Sequence, residues 1–144
     1  MIKGMNHIGF TVRNLDTAVA FLTECAGFTL LSREGRPAGM AQRLTGVEGA
    51  QVEIAFVQHG TLRVELLRFH APDLADHPLP TPAHPAAAHL ALDVEDIEAF
   101  MQRAAPYDLH LLGEILTIPA GPNKGGKVAY ACHPSGLCLE LLHT

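Results

Sequence analysis

Two histidines and two glutamates stand at matching places in this chain: His7 with Glu65, and His89 with Glu140. Imidazole nitrogens and carboxylate oxygens are donors that a divalent first-row metal accepts, with water or substrate oxygens free to complete an octahedron. No cysteine belongs to the set, which disfavours a structural zinc. Any one of these residues alone would read as a solvated side chain on an outer strand face. Recurrence changes that weighing, because independent surface positions have no reason to repeat as His…Glu in both halves. The chemistry suggested is that of Ni, Co, Mn, Fe or Zn held by His7, Glu65, His89 and Glu140.

The elements that must position them come from an internal repeat. Residues 7–16 recur as 89–98 at an offset of 82, with apolar residues matching at 8/90, 10/92, 12/94 and 15/97. Residues 62–67 resemble 137–142 at an offset of 75. Each first segment alternates like a strand and then takes helical periodicity. Asn14 or Asp16 can cap a helix to about Ala26 with Gly27 ending it; Asp93 or Asp96 can cap another to about Ala105, stopped by Pro106. Two further strands fit in each half, near 29–34 and 51–58, then 109–116 and 127–132. The expected fold is α+β: paired βαβββ modules, at about 5–70 and 87–143, forming a curved mixed sheet around a metal-binding cavity. A linker over 71–86 holds five of the ten prolines.

Strand alternation sorts the side chains by face. Ile8, Phe10 and Val12 oppose His7; Leu62, Val64 and Leu66 oppose Glu65. Leu90, Leu92 and Val94 likewise oppose His89, and Leu137, Leu139 and Leu141 oppose Glu140. Each half therefore offers one His and one Glu on the face turned from its main apolar row.

The 144 residues carry 10 Lys+Arg against 15 Asp+Glu, a net charge of −5 with no basic run, which excludes a nucleic-acid footprint. No apolar stretch reaches membrane length, and the N-terminus has no signal-like apolar core. Cys25, Cys132 and Cys138 are odd in number and read as thiols of a cytoplasmic protein. Charged residues are 17% of the chain, below the usual ~25%, which suggests surface covered by a partner subunit.

With these residues in place, the chain resembles the vicinal oxygen chelate superfamily: glyoxalase I, methylmalonyl-CoA epimerase, extradiol dioxygenases, fosfomycin-resistance enzymes and bleomycin-binding proteins. The resemblance covers His7 to Leu142. Pro134-Ser135-Gly136 before Leu139-Glu140-Leu141 is similar to the family's Asp-Pro-x-Gly…Glu-Leu ending, with His133 in place of the aspartate. The order His, Glu, His, Glu resembles bacterial-type glyoxalase I. It implies a metal-dependent lyase or isomerase that abstracts a proton next to a carbonyl of a small thioester, through an enolate or enediolate. Glu140 is then the principal base, and Glu65 a ligand or the base on the opposite face. The loop 120–126 resembles the glyoxalase loop near substrate, which points to Asn123 and Lys124. Glu53 matches by strand position a second acid/base glutamate of the epimerase. Thr11 stands where glutathione-specific glyoxalases place an arginine, which argues against glutathione as the carrier. The family also implies a homodimer.

Two alternatives belong to other classes: a metal-free small-molecule binding or antibiotic-resistance protein, and a metal-dependent dioxygenase, against which the fourth ligand Glu65 argues. His59, His70, His77, His84, His110, His133 and His143 read as solvated. Cys25 reads as a small buried hydrophobe, and Cys132 and Cys138 as neighbours on the last two strands.

Overall fold

The alternation at Ile8, Phe10 and Val12 produces the first strand, β1 (Ile8–Thr11), with Phe10 and Val12 buried. Asn14 then caps α1 (Leu15–Ala20), its side-chain oxygen accepting from the Thr17 N–H at 3.0 Å. A π-helical turn continues through Phe21–Cys25, so Leu15, Ala18, Phe21, Leu22 and Cys25 form one buried face. Gly27, at φ +77°, takes the left-handed conformation that releases the chain into β2 (Thr29–Gly35). A short helix absent from the sequence expectation, α2 (Met40–Thr45), precedes β3 (Gln51–His59) and β4 (Leu62–Ala71). In this computed structural model, all 144 residues are described, and they form two units, Met1–His77 and Pro78–Thr144.

The first unit holds a mixed sheet in the order β1-β4-β3-β2, with β1 parallel to β4 and the other pairs antiparallel. Ala55, Val57, Val64 and Leu66 are fully buried on one face. A second apolar cluster, built on Ala41, Ala50, Val52 and Ile54 with Phe56, Leu67 and Phe69 against it, occupies the other face beside α2.

The second unit repeats the plan. β5 (Leu90–Asp93) leads to Asp96, which caps α3 (Ile97–Ala104) by accepting from the Ala99 N–H at 2.7 Å, and a 3-10 turn at Pro106 ends the helix. The sheet runs β5-β9-β8-β6, with β5 parallel to β9. β8 is Lys127–Cys132 and β9 is Cys138–His143. The single strand expected over 109–116 is instead two fragments, β6 (His110–Leu111) and β7 (Leu116–Thr117), both paired to β8. The chain bends at Leu112 and Gly113, between the two fragments. The α+β architecture of two βαβββ-like modules is the one the repeat predicts.

Candidate active site

His7 and Glu65 meet because β1 and β4 are parallel neighbours, with Gly9 opposite Glu65. His7 Nε2 lies 3.2 Å from Glu65 Oε2. Gly9 leaves the space this needs, since a Cβ there would lie 3.2 Å from the same oxygen. The second unit repeats the arrangement: Ala91 opposes Glu140, and His89 Nε2 lies 3.1 Å from Glu140 Oε2. Each sequence-predicted His therefore meets its own unit's Glu.

An aromatic ring completes each pair. Phe56 in β3 stands opposite Glu65 and meets His7 edge-on at 5.3 Å; Tyr130 in β8 stands opposite Glu140 and meets His89 edge-on at 5.0 Å. Such contacts orient an imidazole that has few other restraints. Burial first, and the Glu140 carboxylate next, raise the Tyr130 pKa above its ordinary value, so the phenol is a proton-bearing donor at neutral pH. Neither aromatic was singled out in the sequence, although each sits on the strand antiparallel to the one that carries its module's Glu.

Each His–Glu pair offers one nitrogen and one oxygen donor suited to a cation, and no group of three or more His, Cys, Asp or Glu side chains stands together to hold one. His7 Nδ1 bonds to Asn6 Oδ1 at 2.8 Å, and because that oxygen only accepts, Nδ1 carries the proton. With Nδ1 turned to Asn6, Nε2 faces a carboxylate oxygen, a contact that a proton or a metal ion can bridge. Nitrogen and oxygen donors ~2.1 Å from a common metal stand ~3.0 Å apart along an octahedral edge. The separations of 3.2 and 3.1 Å are close to that value. Asn6 is placed to orient the His7 ring through this bond.

Arg36 is a further residue the sequence did not mark. Its guanidinium lies 4.0 Å from Glu65 Oε1 and 3.4 Å from Glu34 Oε1. It also lines a cavity of about 570 Å³ with Gln42, Val52 and Glu53. Glu65 thus faces His7 with one oxygen and a guanidinium with the other.

Glu53 lies elsewhere. The β3–β4 register sets Phe56 opposite Glu65 and Glu53 opposite Arg68, so Glu53 and Glu65 project from opposite faces of the sheet. Arg33 Nε at 2.7 Å, with His70 at 3.3 Å, holds the Glu53 carboxyl below the usual carboxylate range. Asn123 and Lys124 are exposed on a turn that closes through Lys124 N–H to Gly121 O at 3.2 Å and Gly126 N–H to Asn123 O at 3.0 Å.

One histidine expected in solvent is buried. His133 is 2% exposed, with Nδ1 2.7 Å from Ser135 Oγ and accepting from the Ser135 N–H at 3.2 Å. The expectation failed because the turn between β8 and β9 folds its polar residues inward onto each other. Burial lowers the His133 pKa, opposed in part by Asp108 and by the bond to the Tyr107 carbonyl. Cys25 is buried, as expected of a small hydrophobe, and Cys132 pairs with Cys138 across β8 and β9.

Comparison with known proteins places this arrangement in a family. The chain belongs to the glyoxalase/bleomycin resistance protein/dioxygenase superfamily, whose model matches residues 4–140. It is 33% identical over 145 residues to a 2-epi-5-epi-valiolone epimerase of Actinomyces sp, covering 96% of this chain and 78% of that protein. Among solved structures, a glyoxalase family protein from Bacillus cereus superposes with a TM-score of 0.83 at 27% identity, covering 99% of this chain and 95% of the other. A fosfomycin resistance protein from Listeria monocytogenes, solved with Mn(II) and sulfate, shares the fold at a TM-score of 0.62 and 15% identity, over 100% of this chain and 94% of its own. No helix is long and apolar enough to cross a membrane.

Proposed function

We propose that this protein is a metal-dependent isomerase that moves a proton on the carbon beside a carbonyl. The ligands proposed for its divalent ion (Ni, Co, Mn, Fe or Zn) are His7, Glu65, His89 and Glu140. The observation that carries this reading is the repeated His–Glu contact, 3.2 and 3.1 Å, each beside an aromatic ring. When bound, the metal supplies a Lewis acid at the substrate carbonyl, which makes the neighbouring C–H acidic. Glu140 takes that proton as the principal base, and Glu65 works on the opposite face. Inverting a stereocentre needs a proton removed from one side and one returned to the other, and two carboxylates meet that need. Tyr130, protonated and beside His89, is a donor to developing negative charge.

The proton chemistry is common to thioesters and ketones. The 33% identical relative is a 2-epi-5-epi-valiolone epimerase, and this supports a substrate like 2-epi-5-epi-valiolone over a thioester here. Arg36 beside Glu65, and Asn123 and Lys124 on their exposed turn, are polar groups available to its oxygens. The exposed Leu30 and Leu31 on the edge strand β2 suit the homodimer that the family resemblance implies, in a cytoplasmic setting.

The test is metal content of protein purified without chelator, for wild type, His7→Ala and Glu140→Ala, with solvent deuterium incorporation into 2-epi-5-epi-valiolone followed by NMR. About one metal per His–Glu set of four, lost in both variants together with exchange, is the expected result. Wild-type protein that takes up none of the five ions refutes the metal reading. Metal without exchange refutes this substrate.

A further inference from the structure

Cys132 and Cys138 face each other across the β8–β9 hairpin, two register positions from Tyr130 and Glu140 and on the same face of the sheet. The His133 N–H donates to Leu137 O at 2.9 Å, so residues 133 and 137 are the hydrogen-bonded pair and 132 and 138 the non-bonded pair beside it. Cα atoms of such a pair stand ~4.5 Å apart with side chains close together. That separation lies within the roughly 4.4–6.8 Å span of disulfides. Both residues are partly exposed, and all three cysteines of the chain are reduced, with Cys25 buried in the helix layer.

We propose that Cys132 and Cys138 form a self-resolving thiol pair, which reacts with small disulfides and closes to a disulfide instead of retaining the adduct. One thiolate attacks a sulfur of a low-molecular-weight disulfide, forming a protein–small-molecule mixed disulfide and releasing one small thiolate. The opposing thiolate then attacks the protein sulfur of that bond, forming Cys132–Cys138 and releasing the second small thiolate. The small disulfide is reduced to two thiols, the protein pair is oxidised, and the two protein protons go to the released thiolates. A retained adduct on either sulfur would stand beside Glu140 and Tyr130, whereas the closed bond occupies no more room than the two thiols. The hairpin that sets Glu140 opposite Tyr130 keeps its register, because the cross-link joins residues already paired.

Oxidised glutathione is the probe, added to the full-length chain, with intact mass and peptide mapping after quenching. The expected wild-type product has lost two hydrogens, carries no glutathione, and maps the bond to the segment following Lys127; Cys25 still alkylates after unfolding. Cys132→Ser and Cys138→Ser each retain one glutathione, since the resolving thiol is gone. Wild type that accumulates the glutathione adduct as the single variants do, that links between copies on a non-reducing gel, or that keeps all three thiols overturns the proposal. The wild-type masses decide this even if a serine variant fails to fold.

Discussion

Because His133 is buried as the neutral imidazole, acid should weaken this protein earlier than its carboxylates would. Its Nδ1 accepts from the Ser135 N–H, and its other nitrogen bonds to the Tyr107 carbonyl, so an added proton would face a donor. Burial depresses its pKa in the folded chain. The unfolded chain therefore takes up a proton near pH 6.5 that the folded chain resists. Stability is full above that pH and falls as the pH drops through it, toward the depressed folded value. One such proton costs at most ~1.4 kcal/mol per pH unit, so between pH 7.5 and 5.5 the loss is bounded at about 1.4 kcal/mol. For a chain of this size that corresponds to roughly 3–6 °C in Tm. Glu53, Asp73 and Glu98 all have lowered pKa values and stay ionised across this window. The assay is thermal unfolding by circular dichroism at both pH values, in chelator, for wild type and His133→Asn. The asparagine oxygen can still accept from Ser135 but does not titrate, so the variant's Tm should be lower throughout and several degrees less pH-dependent. Equal pH dependence in both proteins would refute the assignment of this acid-side loss to His133.

Further outcomes follow from the same geometry. Tyr130→Phe should retain metal content and Tm within error yet slow deuterium incorporation at least tenfold, because only the donor is lost. Glu53→Gln should leave exchange within about twofold of wild type, since its carboxylate lies on the other face, and cost no more than ~1 kcal/mol in urea unfolding as a surface partner of Arg33. Gly126→Ala should destabilise by about 1–3 kcal/mol in the same titration, because a Cβ there would overlap the His143 carbonyl oxygen.

The repeat made the architecture legible, since period-two alternation and two cap residues, Asn14 and Asp96, acted locally as their side chains dictate. The His–Glu pairing was legible for the same reason: parity sets each residue on its strand face without knowledge of the rest of the fold. What failed were features decided by register and by turn geometry. Glu53 matched a family position by strand alone, but the turn at Gly60, with φ +57°, pairs it with Arg68 and sends it to the other face. α2 is one short helix, Met40–Thr45, between two left-handed glycines, Gly39 and Gly46, and six residues carry too little periodicity to be recognised. His133 looked like any histidine near a strand end; its burial depends on Ser135 and Tyr107, and no local pattern records that meeting. Arg36 was invisible because its contact with Glu65 spans 29 residues and reaches from the loop after β2 to β4, which is not a neighbour of β2.

The half-sites are repeated but not equivalent, and the difference bears on how two like carboxylates can do unlike work. Around Glu65 stand Phe56, which offers no proton, and Arg36, a fixed positive charge 4.0 Å from its second oxygen. Around Glu140 stands Tyr130, whose phenol holds its proton, and no residue corresponding to Arg36 appears among its ion pairs. The Arg36 guanidinium stands beside Glu65 alone, so the two carboxylates differ in their neighbours. Glu140 has a phenol opposite it, Tyr130, where Glu65 has the phenyl ring of Phe56. This asymmetry supports assigning the principal proton transfer to Glu140, which symmetry of the His–Glu pairs alone would leave undecided. It also states what a symmetric variant should do: Phe56→Tyr supplies a phenol to the Glu65 side but leaves Glu140 without one, so the added tyrosine should not rescue exchange in Tyr130→Phe.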